Sequence, residues 1–99
     1  MISTRAESEA AAAGAGLTLL TRVDCGLCEQ MQAALQRLGT RLALPALAVV
    51  DVDASPELQR RWGLKVPVLL LDGTAVCRTW LDEPSLLAAL KEAARAARG

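Results

Sequence analysis

Two thiols separated by two residues, Cys25-Gly26-Leu27-Cys28, can close on each other, exchange disulfides with another molecule, or supply half of a zinc site. A zinc knuckle needs four ligands, usually Cys and His. The chain has no histidine and one further cysteine, Cys77, so a metal site would need a second copy of the chain to complete it. The lack of histidine also excludes Cys–His nucleophilic catalysis and Ser-His-Asp triads within the chain. Downstream, Val66-Pro67 opens an apolar run. A proline there has no N–H for a ladder bond and belongs at a strand edge or terminus. It is either a trans strand opener or, if cis, a device that turns the Val66 backbone toward the thiol pair.

These residues need elements to hold them. Leu17-Thr18-Leu19-Leu20-Thr21 reads as a short buried strand, and residues 26–38 have helical spacing, with Met31, Ala34, Leu35 and Leu38 on one face and Gly39 after it. Leu47 to Val52 reads as a second strand. Ser55-Pro56-Glu57 starts a helix by hydroxyl cap, first-turn proline and acid. Leu58 and Trp62 share its face, and Gly63 ends it. Pro67 to Leu71 reads as a third strand, Asp72-Gly73 as a type I′ hairpin turn, and Thr74 to Thr79 as the antiparallel partner. Asp82-Glu83-Pro84 opens a last helix with Leu86, Leu87, Leu90 and Ala94 as its buried stripe. The order β-α-β-α-β-β-α predicts a four-stranded mixed sheet flanked by helices, with a right-handed crossover between the first two, parallel strands.

That arrangement puts Cys25 at or just before a helix N-terminus, where free N–H groups carry about half a positive charge. A thiolate is favoured there, so its pKa is expected below about 8.5. Arg22 reinforces this, whereas Asp24 and Glu29 oppose it; the expected shift is modest. Cys28 lies one turn deeper on the same face, placed to attack a mixed disulfide formed on Cys25. Gly26 allows close approach of a substrate backbone, and Leu27 adds an apolar tip.

The chain has 99 residues, 53% of them hydrophobic, and formal charge balances at eleven basic and eleven acidic side chains. This predicts one small domain over residues 17–99, preceded by a low-complexity, disordered tail over 1–16. No basic stripe supports nucleic-acid binding. No apolar run approaches the roughly 18 residues of a membrane span, and the N-terminus lacks a secretory layout. The expectation is a cytoplasmic monomer. Cys77 reads as a small buried strand residue, with a third redox thiol as the alternative. Trp62 reads as helix packing; Trp80 follows a strand end near the predicted active edge and reads as core packing, with a place at that edge as the alternative. Lys65 is either an anion-binding group beside the site or a solvated lysine. Asp51 and Asp53 read as the polar end of a strand entering a turn.

Residues 17–90 resemble the thioredoxin superfamily, and within it the small bacterial glutaredoxin-like proteins. The resemblance is carried by Leu17 to Arg22 before the CxxC, by Val50-Asp51-Val52-Asp53-Ala54-Ser55-Pro56-Glu57-Leu58, and by Trp62 through Gly73 around Val66-Pro67. It implies a thioredoxin fold and a glutaredoxin-like disulfide oxidoreductase working in cell redox homeostasis. Cys25 would be the exposed attacking thiol, Cys28 the buried resolving thiol, and Pro67 cis. Arg22, Gly26, Leu27, Lys65, Val66 and Pro67 would line the substrate site, Arg22 meeting a glutathione carboxylate. No bound cofactor or metal is implied. The partners would be a disulfide-bearing protein or a glutathione mixed disulfide, with glutathione or a reductase as electron source. The paired glycines that glutaredoxins carry before the last helix are replaced by Cys77-Arg78-Thr79-Trp80-Leu81, followed by an acid, Asp82. A thioredoxin-fold binding module with little turnover, and metal or iron–sulfur binding through a dimer, are the alternative readings.

Overall fold

The computed structural model describes residues 16–98. The tail expected over 1–16 therefore lies outside the described residues, Gly16 excepted. The elements are β1 (Leu17–Thr21), α1 (Gly26–Gly39), β2 (Leu47–Asp51), a 3-10 turn (Val52–Ala54), α2 (Pro56–Trp62), β3 (Val68–Leu71), β4 (Thr74–Arg78) and α3 (Glu83–Arg98). The sheet runs β2-β1-β3-β4. β1 and β2 are parallel, with Leu17 opposite Leu47, while β1–β3 and β3–β4 are antiparallel. This is the thioredoxin fold that the element order predicts.

β1 is an inner strand covered on both faces, which is why its apolar run is nearly continuous rather than alternating. Leu17 and Leu19 point to one face and pack with Leu69 and Leu71 of β3 against Met31, Leu35 and Leu38 of α1 and Leu86 of α3. Leu20 points to the other face and packs with Val52 and Val68, under half-buried Leu58 and Trp62 of α2. Trp62 is thus the packing residue that its spacing from Leu58 suggests.

Local chemistry sets the ends. The Ser55 hydroxyl caps α2 by accepting the Leu58 N–H at 3.3 Å, with Pro56 in the first turn. The Asp51 carboxylate accepts the Asp53 N–H at 2.8 Å and starts the 3-10 turn, so β2 ends one residue before the expected Val52. The Asp72-Gly73 turn has φ of 52° and 85°, the two positive values that a type I′ hairpin requires. A bulge between Leu69 and Leu70 leaves Val76 as the extra residue of β4.

Three expectations need correction. The buried stripe of α3 is Leu86 with half-buried Ala89, Leu90 and Ala93; Leu87 is 40% exposed and Ala94 faces solvent. Neighbouring helical residues diverge by about 100°, so Leu86 and Leu87 cannot both face the sheet. Trp80 does not pack in the core: it is 68% exposed. Finally, β3 begins at Val68 and β4 ends at Arg78, because Pro67 and Thr79 form a cross-link of their own outside the ladder, with the Thr79 N–H on the Pro67 carbonyl at 3.0 Å.

Candidate functional site

The dithiol is built by the short segment between β1 and α1. Asp24 takes a left-handed conformation (φ 59°), which Asp tolerates better than most residues. The chain then enters α1 with Cys25 as N-cap in extended conformation (φ −110°, ψ 104°). The Cys25 carbonyl accepts the Glu29 N–H at 3.1 Å, and its Sγ accepts the Cys28 N–H at 3.0 Å. The sulfur therefore does the work of a capping oxygen and lies where the helix dipole favours negative charge.

Cys25 and Cys28 are joined as a disulfide, with Cα atoms 5.2 Å apart. The two sulfurs have unequal surroundings. Cys28 is 3% exposed and continues inward as the buried face of Met31, Leu35 and Leu38, whereas Cys25 is half-buried at the rim. Apart from its chain neighbours and its own helix backbone, Gly26 has no described atom within 4 Å of where a Cβ would sit, and Leu27 is exposed. The segment around the dithiol is open, with the apolar Val23 and Leu27 exposed alongside Asp24 and Glu29.

Arg22 is engaged elsewhere in the fold. Its Nε and Nη2 donate to the two Asp53 carboxylate oxygens at 2.9 and 3.1 Å, and Nη1 donates to the Gly63 carbonyl at 3.0 Å. Hydrogen bonding to Arg22 first, and to Gln59 next, holds the Asp53 carboxyl below its ordinary pKa; Asp53 in turn raises that of Arg22. The tie joins the end of β1 to the 3-10 turn and the end of α2. It also explains Gly63. That residue has an ordinary helical φ of −55°, but a Cβ there would collide with the Gln59 carbonyl and lie 3.3 Å from Arg22 Nη2.

The Val66–Pro67 peptide bond is cis. Pro67 is buried and Val66 half-buried. Lys65 is exposed, its ammonium 5.5 Å from the centre of the Trp62 ring. Leu64, Lys65 and Val66 form one wall of a groove of about 630 Å³, and β4 with Thr79 and Trp80 forms the other. Thr79 and Trp80 also border a smaller groove of about 240 Å³ against Gln30, Met31, Ala34 and Arg37 of α1. Trp80 therefore stands between the Val66 side of the site and the helix that carries Cys28. Cys77 lines the larger groove, half-buried and unbridged, and burial pushes its thiol pKa up. The Asp82 carboxylate, the acid retained after the missing glycines, accepts from the Ser85 hydroxyl and N–H at 2.9 and 3.4 Å and so caps α3.

Of the site residues expected from sequence, Cys25, Gly26, Leu27 and Cys28 lie together at the start of α1, and Lys65 and Val66 share the groove beside Pro67. Two features leave no local signal in the sequence. Asp53 lies in the turn expected after β2, but its ion pair with Arg22 spans 31 positions. Trp80 borders both grooves instead of entering the core.

A family model described as "Glutaredoxin-like domain (DUF836)" matches residues 16–91. An uncharacterized protein of Mycobacterium tuberculosis is 36% identical over 74 residues, spanning 71% of this chain and 76% of the relative. Among solved structures, protein Ne2328 from Nitrosomonas europaea superimposes with a TM-score of 0.67 at 30% identity, covering 75% of this chain and 88% of that one. Thioredoxin 1 from Thermosipho africanus superimposes with a TM-score of 0.55 at 15% identity, over 84% of this chain and 98% of that one, a likeness of fold alone.

Proposed function

Because the chain belongs to the glutaredoxin-like domain family, we propose that it is a thiol–disulfide oxidoreductase in which Cys25 attacks and Cys28 resolves. The observation that carries this reading is the inequality of the two sulfurs: Cys25 caps α1 at the rim, while Cys28 is buried one turn behind it. An incoming sulfur can reach only the first of them in line.

In the reduced protein the Cys25 thiolate attacks one sulfur of a substrate disulfide. A mixed disulfide forms and the other substrate sulfur leaves as a thiolate, which takes up a proton. The Cys28 thiol then loses its proton and attacks the Cys25 sulfur. The second substrate thiolate leaves, and the Cys25–Cys28 disulfide remains, as in this structure. The substrate has gained two electrons and two protons. Glutathione or a reductase returns the same number to the protein, a cycle suited to the reducing cytoplasm and to a monomer. The α1 N-terminus favours Cys25 as thiolate and leaving group through the Cys28 N–H.

Gly26 and Leu27 offer the open surface over Cys25, Val66 and Pro67 the backbone edge beside it, and Lys65 a cation at the groove. Arg22 contributes by fixing the end of β1 through Asp53. Turnover of bis(2-hydroxyethyl) disulfide with glutathione or a thioredoxin reductase as donor tests the activity. Reduction by wild type and none by Cys25→Ser supports it; equal rates for both refute it.

A further inference from the structure

The larger groove extends from the Val66 edge along β4, beyond what sulfur exchange itself requires, and its lining has one sign of charge. Lys65 and Arg78 line it, and no carboxylate does. The ion pairs among the described residues involve neither cation. Its apolar contribution is unusually exposed: Leu64 is 100% and Trp80 68% accessible. A large aromatic side chain is costly to leave in water, and aromatics dominate the energetics of recognition surfaces.

Trp80 is held there by its backbone. Thr79 has φ of 75°, a strained conformation for a β-branched residue, and persists because its N–H is bonded to the Pro67 carbonyl at 3.0 Å. The Trp80 N–H in turn donates to the Arg78 carbonyl at 2.8 Å. Both bonds fix the segment on which Trp80 stands, across from the proline that adjoins the Val66 wall. Strain of this kind concentrates at functional sites.

We infer that this groove binds an extended acidic peptide segment carrying a large apolar side chain, with Trp80 as the residue that selects it. The apolar side chain packs on Trp80 and Leu64, and the segment's carboxylates face Lys65 and Arg78. The inference rests on the oxidoreductase reading for its meaning, since the segment would be the chain flanking a protein disulfide. Its test does not depend on turnover.

The test is calorimetric binding to the Cys25→Ser/Cys28→Ser protein, which cannot exchange. The probes are an acidic peptide bearing leucine and tryptophan, the same peptide with lysines for its acids, and S-methylglutathione. The expected result is binding of the acidic peptide that weakens about 10-fold or more with Trp80→Ala, is retained with Trp80→Phe, and falls with Lys65→Glu or Arg78→Glu and with added salt. Equal binding of the lysine peptide, tighter binding of S-methylglutathione, or indifference to Trp80→Ala overturns the inference. Peptide binding without disulfide turnover by the wild type refutes the oxidoreductase reading and supports the groove; turnover without peptide binding does the reverse.

Discussion

Two sulfurs three residues apart differ in what can reach them, and that difference carries the chemistry. Cys25 at the helix cap is open to a partner, and Cys28 is enclosed by the α1 face that builds the core. Cys77 contrasts with both. Burial raises its pKa, an Asp82 backbone hydrogen bond only partly opposing this, so the thiol stays protonated at neutral pH. With the Cys25–Cys28 pair oxidised, iodoacetamide should label Cys77 several-fold more slowly than the same cysteine in urea-unfolded protein, as read by mass spectrometry. Equal rates would refute its burial. The dithiol was legible in the sequence because CxxC at a strand–helix junction is a local pattern. The exposure of Trp80 was not, because the segment that carries it is set by a hydrogen bond between Thr79 and Pro67, which lie just beyond the paired ends of β4 and β3.

At the scale of elements, the Arg22–Asp53 tie fixes how β1 hands over to the dithiol. The folded-state pKa of Asp53 is depressed, so its contribution to stability is present above the unfolded carboxylate value near 3.9 and is lost as pH falls through the folded one. Thermal melts of wild type should therefore weaken in that acid range, and Asp53→Asn should flatten this limb. An unchanged acid limb would show the tie to be idle. Gly63→Ala should destabilise by about 1–3 kcal/mol in urea melts, since the new methyl collides with the Gln59 carbonyl and presses on Arg22. On α3, Leu86→Ala should cost about 2–5 kcal/mol and Leu87→Ala under about 0.5, whereas a stripe that buried both would require similar losses. Helix positions were readable from apolar spacing. The choice between Leu86 and Leu87 was not, because either fits the period and only the sheet decides.

For the whole molecule, the sheet order β2-β1-β3-β4 places inner strands β1 and β3 side by side, so the segment after β1 and the segment before β3 emerge at the same end of the sheet. Cys25 follows the first and Pro67 precedes the second. That juxtaposition was legible from the element order and the family resemblance together, because antiparallel pairing of β1 with β3 leaves no other arrangement. Among the described residues no helix is long and apolar enough to cross a membrane. The central claim is that these elements present one sulfur to a partner and keep the other for resolution. It is tested most directly by mixing each reduced single-serine variant with a peptide disulfide and mapping the adduct by mass spectrometry. The account predicts a stable mixed disulfide on Cys25 in Cys28→Ser, and at least about 100-fold slower adduct formation on Cys28 in Cys25→Ser. Adducts forming on both cysteines at equal rates would contradict it.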